Sequence, residues 1–375
     1  MIYLDNAATT QVSERVLMAM LPYFTGVYGN PGSIHTMGMD AAKAVEVARK
    51  QCAAPINADP NDIIFTSGGS EANSLVFAGL EEYLKQMGKT HVVTTPVEHP
   101  SVLNNIKCRF DVSEVVLSRD GSLNINALLD CITPQTGIIS IMAVNNETGN
   151  SYDLTAIGKE CAKRGILFHT DCVQAYGNID IDVNKDYIDF LSVSGHKLHA
   201  PKGVGFLYAN SSCSRILKPM IRGGGQERWL RAGTENVPGI VGLGEAACAA
   251  YENPVSITQE SANKKMNLFL KTIQDGLGYV KINGKPYYGS RTVNLRFDGI
   301  DGETLLLLLN TQGICVSAGS ACSAHSAVPS HVLLAMGLSP EEARSSIRVS
   351  FSKSTSYEEI CEAACAIVDS VKKLQ

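Results

Sequence analysis

Three short clusters and one cysteine carry the groups that could do chemistry. Thr66-Ser67-Gly68-Gly69-Ser70-Glu71 reads as a strand end, two glycines and a helix start. Free backbone N–H groups at the positive end of a helix make such a turn a phosphate site, and Ser70 adds a hydroxyl donor. The plainer reading is an ordinary strand-to-helix turn with a serine cap. In His169-Thr170-Asp171-Cys172-Val173-Gln174, a carboxylate emerges from an apolar strand. It needs a positive partner or strong hydrogen bonds, unless it merely caps the next turn. Ser192-Val193-Ser194-Gly195-His196-Lys197 sets a lysine just past another apolar strand. Lys197 is then either a solvated side chain or an amine held for Schiff-base chemistry, with Ser194 and His196 as phosphate donors. Cys322 sits in Ser317-Ala318-Gly319-Ser320-Ala321-Cys322-Ser323-Ala324-His325-Ser326. Small polar neighbours favour a reachable loop over a core position, and the thiolate is the reactive form. His325 is either a local helper or an inert surface imidazole, and packing is the bland alternative for the thiol.

These groups need a scaffold that brings them together. Short β-branched runs at Ile63–Phe65, His91–Thr95, Glu114–Ser118, Gly137–Val144, Ile166–Thr170, Phe190–Ser194 and Gly203–Tyr208 predict strands. Helical patterns lie between many of them, as at Glu71–Gln86 and Thr155–Arg164. Apolar strands separated by helices predict an α/β fold with a mostly parallel sheet covered on both faces. A long helix is expected over Thr234–Tyr251. Beyond it, a helix near Thr258–Gly276, a strand near Arg291–Phe297 and helices at Glu303–Asn310 and Tyr357–Lys373 predict a smaller C-terminal α/β domain. The expected division is a large domain over 15–250 and a small one over 1–14 and 251–375. In open parallel sheets ligands bind at the carboxyl ends of strands. Polar clusters fall at five such ends: 66–70, 98–99, 145–147, 171–174 and 194–197.

Pyridoxal phosphate needs a lysine for its aldehyde, a carboxylate for its ring nitrogen and an anion cradle for its phosphate. Gly-Gly-Ser, then Asp171, then Ser-x-His-Lys supply all three in order. The chain resembles the class V aminotransferases, and within them the cysteine desulfurases of the NifS/IscS group. The resemblance runs from Tyr3-Leu4-Asp5-Asn6-Ala7-Ala8-Thr9-Thr10 through Gly29-Asn30-Pro31-Gly32-Ser33-Ile34-His35, Val97-Glu98-His99 and Val144-Asn145-Asn146-Glu147-Thr148-Gly149. It continues through Ser194-Gly195-His196-Lys197 and Arg231-Ala232-Gly233-Thr234 to Ser320-Ala321-Cys322 and Ser346-Ile347-Arg348.

The resemblance implies fold type I of the pyridoxal-phosphate enzymes, with a seven-stranded sheet in the large domain. It also implies roles. Lys197 joins the cofactor aldehyde, Asp171 pairs with the ring nitrogen and His99 stacks on the ring face. Asn146 and Gln174 hydrogen-bond near the ring hydroxyl, with Asn146 also near the substrate. Gly69, Ser70, Ser194 and His196 hold the phosphate. Thr234 reaches the phosphate of the other subunit, which implies a homodimer. Arg348 clamps the substrate carboxylate, a task suited to its planar fork, although an exposed arginine in a salt bridge is the plainer reading. Cys322 takes the sulfur of L-cysteine as a persulfide and hands it to an acceptor, an iron–sulfur scaffold or a tRNA-thiolation protein. A selenocysteine lyase, another β-lyase or a true aminotransferase is the nearest alternative. A non-catalytic interaction protein on the same fold is the alternative of a different class. Cys172 follows Asp171 where the family commonly has alanine, and is either volume filling or a second thiol near the ring. The stretch after Arg348 runs only to Gln375. Housekeeping members dock a scaffold through an extended C-terminus, so the resemblance gives weaker support for that partner.

Composition narrows the rest. The 375 residues carry 32 basic and 37 acidic side chains, a net charge of -5, which gives no global electrostatic reason to bind nucleic acid or an anionic membrane. No apolar run has the ~18 residues of a membrane span, and the first residues lack a signal-peptide pattern, so a cytoplasmic location is expected. Eleven cysteines include no C-x-x-C pair, no metal site is expected, and most thiols, Cys361 and Cys365 among them, read as reduced packing residues.

Overall fold

The computed structural model describes residues 1–318 and 329–375. Twelve strands occur among them. They are β1 (Ile2–Tyr3), β2 (Ile63–Thr66), β3 (His91–Thr94), β4 (Asp111–Glu114), β5 (Thr136–Ser140), β6 (Leu167–Asp171), β7 (Phe190–Ser194), β8 (Gly205–Ala209), β9 (Lys281–Asn283), β10 (Thr292–Arg296), β11 (Ile314–Cys315) and β12 (Ser346–Ser350). The large sheet has seven strands in the order β2-β8-β7-β6-β5-β3-β4. β8 runs opposite to the other six strands.

Side chains of a strand alternate between faces, and here the alternation sorts them into two cores. Ile63, Phe65, Val93, Ile139, Leu191, Phe206 and Tyr208 join one core, with helices Thr36–Ala53 and Val237–Tyr251. Ile64, Val92, Ile138, Phe190, Leu207 and Ala209 join the other, with helices Gly69–Gln86 and Pro100–Lys107. Covered on both faces, the central strands read as continuous apolar runs, which is why the sequence shows them plainly.

A third core gathers Phe269, Ile273, Val293, Leu295, Ile347, Val349, Ile360 and Ile367 around the three-stranded antiparallel sheet β12-β10-β9. Ile2 and Leu4 belong to this core, and β1 pairs in parallel with β11. Val16 and Met20 already pack in the first core. We therefore propose the domain division at these packing boundaries, with the N-terminal strand lying in the smaller C-terminal unit.

Some boundaries depart from expectation. The edge strand is Asp111–Glu114, not Glu114–Ser118. Its partner β3 ends at Thr94, and the chain turns at Pro96, so ladder pairing stops after the Val115 amide bonds the Thr94 carbonyl at 2.8 Å. Val115 and Leu117, whose β-branched and apolar character suggested the later start, are buried as irregular chain in the first core. The helix expected from Thr234 begins at Val237, because the Asn236 side chain accepts from the Gly239 amide at 3.1 Å and Pro238 opens the first turn. The short strands β1, β9, β11 and β12 were not anticipated. Among the described residues ten cysteines are free; Cys52, Cys161, Cys172 and Cys213 are buried, Cys131 packs half-buried against the first core, and Cys108 and Cys365 are exposed, so the expectation that most are buried is not met.

Candidate active site

Six strands of the large sheet point their carboxyl ends the same way, and five of the polar clusters open into one cleft of about 600 Å³. Gly69, Ser70, His99, Asn146, Asp171, Gln174, Ser194, His196, Lys197 and Arg348 all line it. Thr234 does not. It is exposed, two residues before the cap of its helix. Cys322 and His325 lie outside the described residues.

The helix Gly69–Gln86 starts with Gly68 at its cap and no side chain capping it. Its first-turn amides have no intrahelical acceptors. Gly68 has φ +151°, a conformation that L side chains rarely adopt, and a Cβ on Gly69 would fall 2.6 Å from the Val173 side chain. The two glycines therefore let the helix end come close to β6 and β7, with Ser194 alongside. Thr66 braces the turn by donating to the Gly68 carbonyl at 3.1 Å. This arrangement fits a phosphate.

Asp171 ends β6 almost fully buried. Its Oδ2 accepts from the Asn73 amide at 2.8 Å and its Oδ1 from the Val173 N–H at 3.0 Å. Both partners are neutral, so the carboxylate keeps its charge available for a cationic group in the cleft. Cys172, by contrast, is fully buried in the first core, and burial pushes its thiol far up. It is a packing residue and not a second thiol facing the cleft.

Lys197 closes the 3-10 turn Gly195–Lys197 that follows β7. Its ammonium donates to the Ala8 carbonyl at 2.8 Å and to that of Ala7. Gln174 also donates to the Ala7 carbonyl, at 2.9 Å. The N-terminal segment thus crosses the cleft and holds both side chains. His196 Nδ1 lies 3.1 Å from the Thr9 hydroxyl, and burial, with Lys197 and Lys202 nearby, brings it down to about 4. It is neutral at physiological pH.

His99 caps the helix Pro100–Lys107. Its Nδ1 accepts from the Ser101 N–H at 3.1 Å, which assigns the ring proton to Nε2 in the neutral form. Burial lowers its pKa, with Lys197 and His331 pushing the same way and Asp171 opposing. Asn73 joins this ring to the carboxylate. Its amide donates to the Ser101 hydroxyl at 2.9 Å as well as to Asp171, and Ser101 lies 2.6 Å from His99 Nδ1. Sequence reasoning missed Asn73 and Ser101. Each sits one helical turn or less past a singled-out cluster, but the contacts that join them, Asn73 with Asp171 and with Ser101, run between different elements.

Arg348 lies mid-strand in β12, 1% exposed. Its guanidinium donates to Asp5 Oδ1 at 2.7 Å and to the Asn146 carbonyl at 3.1 Å, and Nε has no partner. It is neither exposed nor in a surface salt bridge. Asp5 was quoted only as part of a motif, and its pairing 343 residues away was not foreseen.

Glu98 is fully buried beside His99. Thr95 donates to its Oε1 at 2.7 Å and the Met142 N–H at 2.9 Å, while Oε2 has no partner. Burial pushes it up to about 8. A solvated glutamate releases its proton near 4.5, whereas folded Glu98 keeps it to about 8. Its contribution to stability is therefore full below the lower value, falls as pH rises through that window and levels off above the upper one. Glu98→Gln mimics the protonated form. Its melting temperature is expected to exceed that of the parent by a margin that grows from about pH 5 to pH 8, measured by thermal unfolding across pH. A margin independent of pH would contradict the assignment.

Described residues on either side of the Cys322 segment are anchored to this region. Ser317 exchanges backbone hydrogen bonds with Arg348 at 3.1 and 2.6 Å. Ser330 donates to Glu147, and His331 Nε2 lies 3.0 Å from the Glu98 carbonyl.

Residues 2–362 match the sequence family Aminotransferase class-V, and the chain belongs to that family. The relatives narrow the likeness. A protein of Bacillus subtilis (strain 168) named putative cysteine desulfurase IscS 1 is 42% identical, covering 100% of this chain and 99% of its own. Cysteine desulfurase IscS of Rickettsia akari (strain Hartford) is 41% identical, over 100% of this chain and 92% of its own. Among solved structures, a NifS-like protein superposes with a TM-score of 0.91 at 33% identity, over the whole of both chains. SspA in complex with cysteine superposes at 0.82 and 36% identity, over 94% of this chain and 99% of that one. Within the family the chain falls with the NifS/IscS group of cysteine desulfurases, and its fold is the type I fold implied by the motifs.

Proposed function

We propose that this chain is a pyridoxal-phosphate-dependent cysteine desulfurase, converting L-cysteine to L-alanine and passing the sulfur, as a persulfide on Cys322, to an acceptor protein. The observation that carries the reading is the meeting of Lys197, Asp171, the uncapped Gly-Gly-Ser helix start and Arg348 in one cleft. The residues fit the cofactor: an amine, a buried carboxylate with neutral partners, and a phosphate-sized cradle of amides and hydroxyls.

Pyridoxal phosphate, when bound, supplies an aldehyde for the substrate amine and a ring that takes up charge from the substrate Cα. The chain does the rest. Ser70, Ser194, His196 and the amides after Gly68 would hold the phosphate, and Asp171, fixed by Asn73, would favour a protonated ring nitrogen. Neutral His99, Gln174 and Asn146 would hold the ring. Arg348, its fork set by Asp5, binds the substrate carboxylate. The Lys197 amine removes the Cα proton and returns one later, as a base held beside its target. The Cys322 thiolate bonds to the substrate sulfur as the Cβ–S bond breaks. The electron pair of that bond goes to carbon, which is protonated to give alanine, and the second sulfur stays on Cys322. No outside oxidant or reductant is required.

Leu17, Met18, Leu21, Phe24, Tyr28 and Ile34 form an exposed apolar run, and Trp229 is exposed close in sequence to Thr234. These features support a homodimer in which Thr234 serves the partner's site. The acceptor is read as an iron–sulfur scaffold or a tRNA-thiolation protein, and the location as cytoplasmic. No helix among the described residues is long and apolar enough to cross a membrane.

The reading is tested by incubating the cofactor-loaded protein with L-cysteine and measuring alanine and sulfide. With dithiothreitol present to reduce the persulfide, equal yields of alanine and sulfide are expected; without it, sulfide lags alanine and an alkylated persulfide maps to Cys322 by mass spectrometry. Amino transfer to a keto acid without sulfide would overturn it. Arg348→Lys is expected to raise KM for L-cysteine roughly 10- to 100-fold, the weight of about one charge-assisted hydrogen bond, with the visible cofactor absorption intact. An unchanged KM would remove Arg348 from substrate binding.

A further inference from the structure

A second cavity of about 160 Å³ adjoins the cleft, sharing Ala7, Val144, Gln174 and Lys197 with it. It lies where the two domains meet. Arg291, which precedes β10, and Lys353, which follows β12, enter it from the small domain, and His199 enters from the turn after Lys197.

The charge in this cavity is one-sided. No aspartate or glutamate is among the residues lining it, and the sequence of 319–328 holds none. Arg291 donates to the neutral Asn178 amide oxygen, and Lys353 to the Ala250 carbonyl at 2.9 Å. His199 Nδ1 lies 2.9 Å from the Gln11 carbonyl, and its Nε2 lies 3.4 Å from the Ser352 hydroxyl. Among the described residues no ion pair involves Arg291 or Lys353, whereas Arg348 in the neighbouring cleft has Asp5. Burial lowers the pKa of Arg291, with Tyr287 opposing, brings Lys353 to about 8 and lowers His199; Arg291 depresses the other two further and Lys353 also depresses His199. Gathering such groups without a counter-charge is unfavourable, and an anion between them removes the cost.

We propose that this cavity is a binding site for a small tetrahedral oxyanion of the phosphate or sulfate class, held by Arg291 and Lys353 from the small domain and faced across the domain junction by His199, which donates from Nε2 in its protonated form. The volume suits such an ion and is below the ~300 Å³ at which drug-sized ligand pockets begin. The guanidinium fork matches two oxygens of the ion, and the ammonium takes a third. Lys353, exposed on its outer side, marks the entrance. An ion bound to both domains stabilises their packed arrangement by mass action, without entering the reaction.

The test uses the protein saturated with pyridoxal phosphate, so that the cradle at Ser70 is filled. Sodium phosphate, sulfate, acetate and chloride are titrated at constant ionic strength while the melting temperature and the heat of binding are recorded. Phosphate or sulfate is expected to give a saturable rise and a binding isotherm, with chloride and acetate giving neither. Arg291→Met and Lys353→Met are each expected to weaken binding at least 10-fold. Lys353→Met, at the exposed mouth, serves if Arg291→Met does not fold. A non-saturating rise that is equal in parent and variants is a general salt effect and would overturn the site. A saturable response to acetate alone would overturn the oxyanion class. Loss of cysteine turnover with the isotherm intact would count against the desulfurase reading and leave this one standing.

Discussion

Lys197→Ala is expected to fold normally, to show no visible cofactor absorption after addition of pyridoxal phosphate, and to lose turnover of L-cysteine by about 10³-fold or more. The loss of a positioned acid–base group alone accounts for ~10²–10⁴-fold, and losing the cofactor's covalent anchor adds to it. Folding should survive. The Lys197 ammonium donates to the Ala7 and Ala8 carbonyls, while the turn it closes is held by backbone bonds from Leu198 and Ala200 to Gly195, which the substitution leaves in place. Absorption spectra and thermal melts of parent and variant decide the matter. An unchanged spectrum would remove Lys197 from the cofactor site, and with it every role assigned around that side chain.

Cys322→Ser separates cofactor chemistry from sulfur transfer. The variant is expected to keep the visible absorption and the spectral response to L-cysteine, because Lys197, Asp171 and Arg348 are untouched. It should form alanine and sulfide at least ~10³-fold more slowly, since a serine hydroxyl stays protonated at neutral pH and a thiolate is the attacking form. No alkylatable persulfide should appear on residues 317–331. If Cys322→Ser turned over cysteine at the parent rate, sulfur transfer would have to run through another group. Cys172 is an unfit candidate, being buried with its thiol strongly protonated.

The site was legible in the sequence to the extent that its chemistry is local. Gly68-Gly69-Ser70, Asp171 and Ser194-Gly195-His196-Lys197 each lie at or just past the end of a strand, so the strand end that exposes each group is encoded within a few residues of it. Burial on both faces made those strands stand out as apolar runs. The edge strand Asp111–Glu114 has neither face fully covered, and its polar sequence hid it behind the apolar Val115–Leu117 that follows. The short strands β1 and β11 are held by pairing with each other across the chain, which no local pattern records.

The order and type of the reactive side chains, and hence the class of cofactor they suit, were determined by the sequence itself. The partners of those side chains were decided by the tertiary structure. Asp5 sets the fork of Arg348 from 343 residues away, and Asn73 ties Asp171 to the cap of His99. The domain junction gathers Arg291, Lys353 and His199 around a cavity without a carboxylate. Reactivity is a property of a functional group and its immediate backbone. Charge balance, hydrogen-bond supply and desolvation depend on which distant strands the sheet order places side by side.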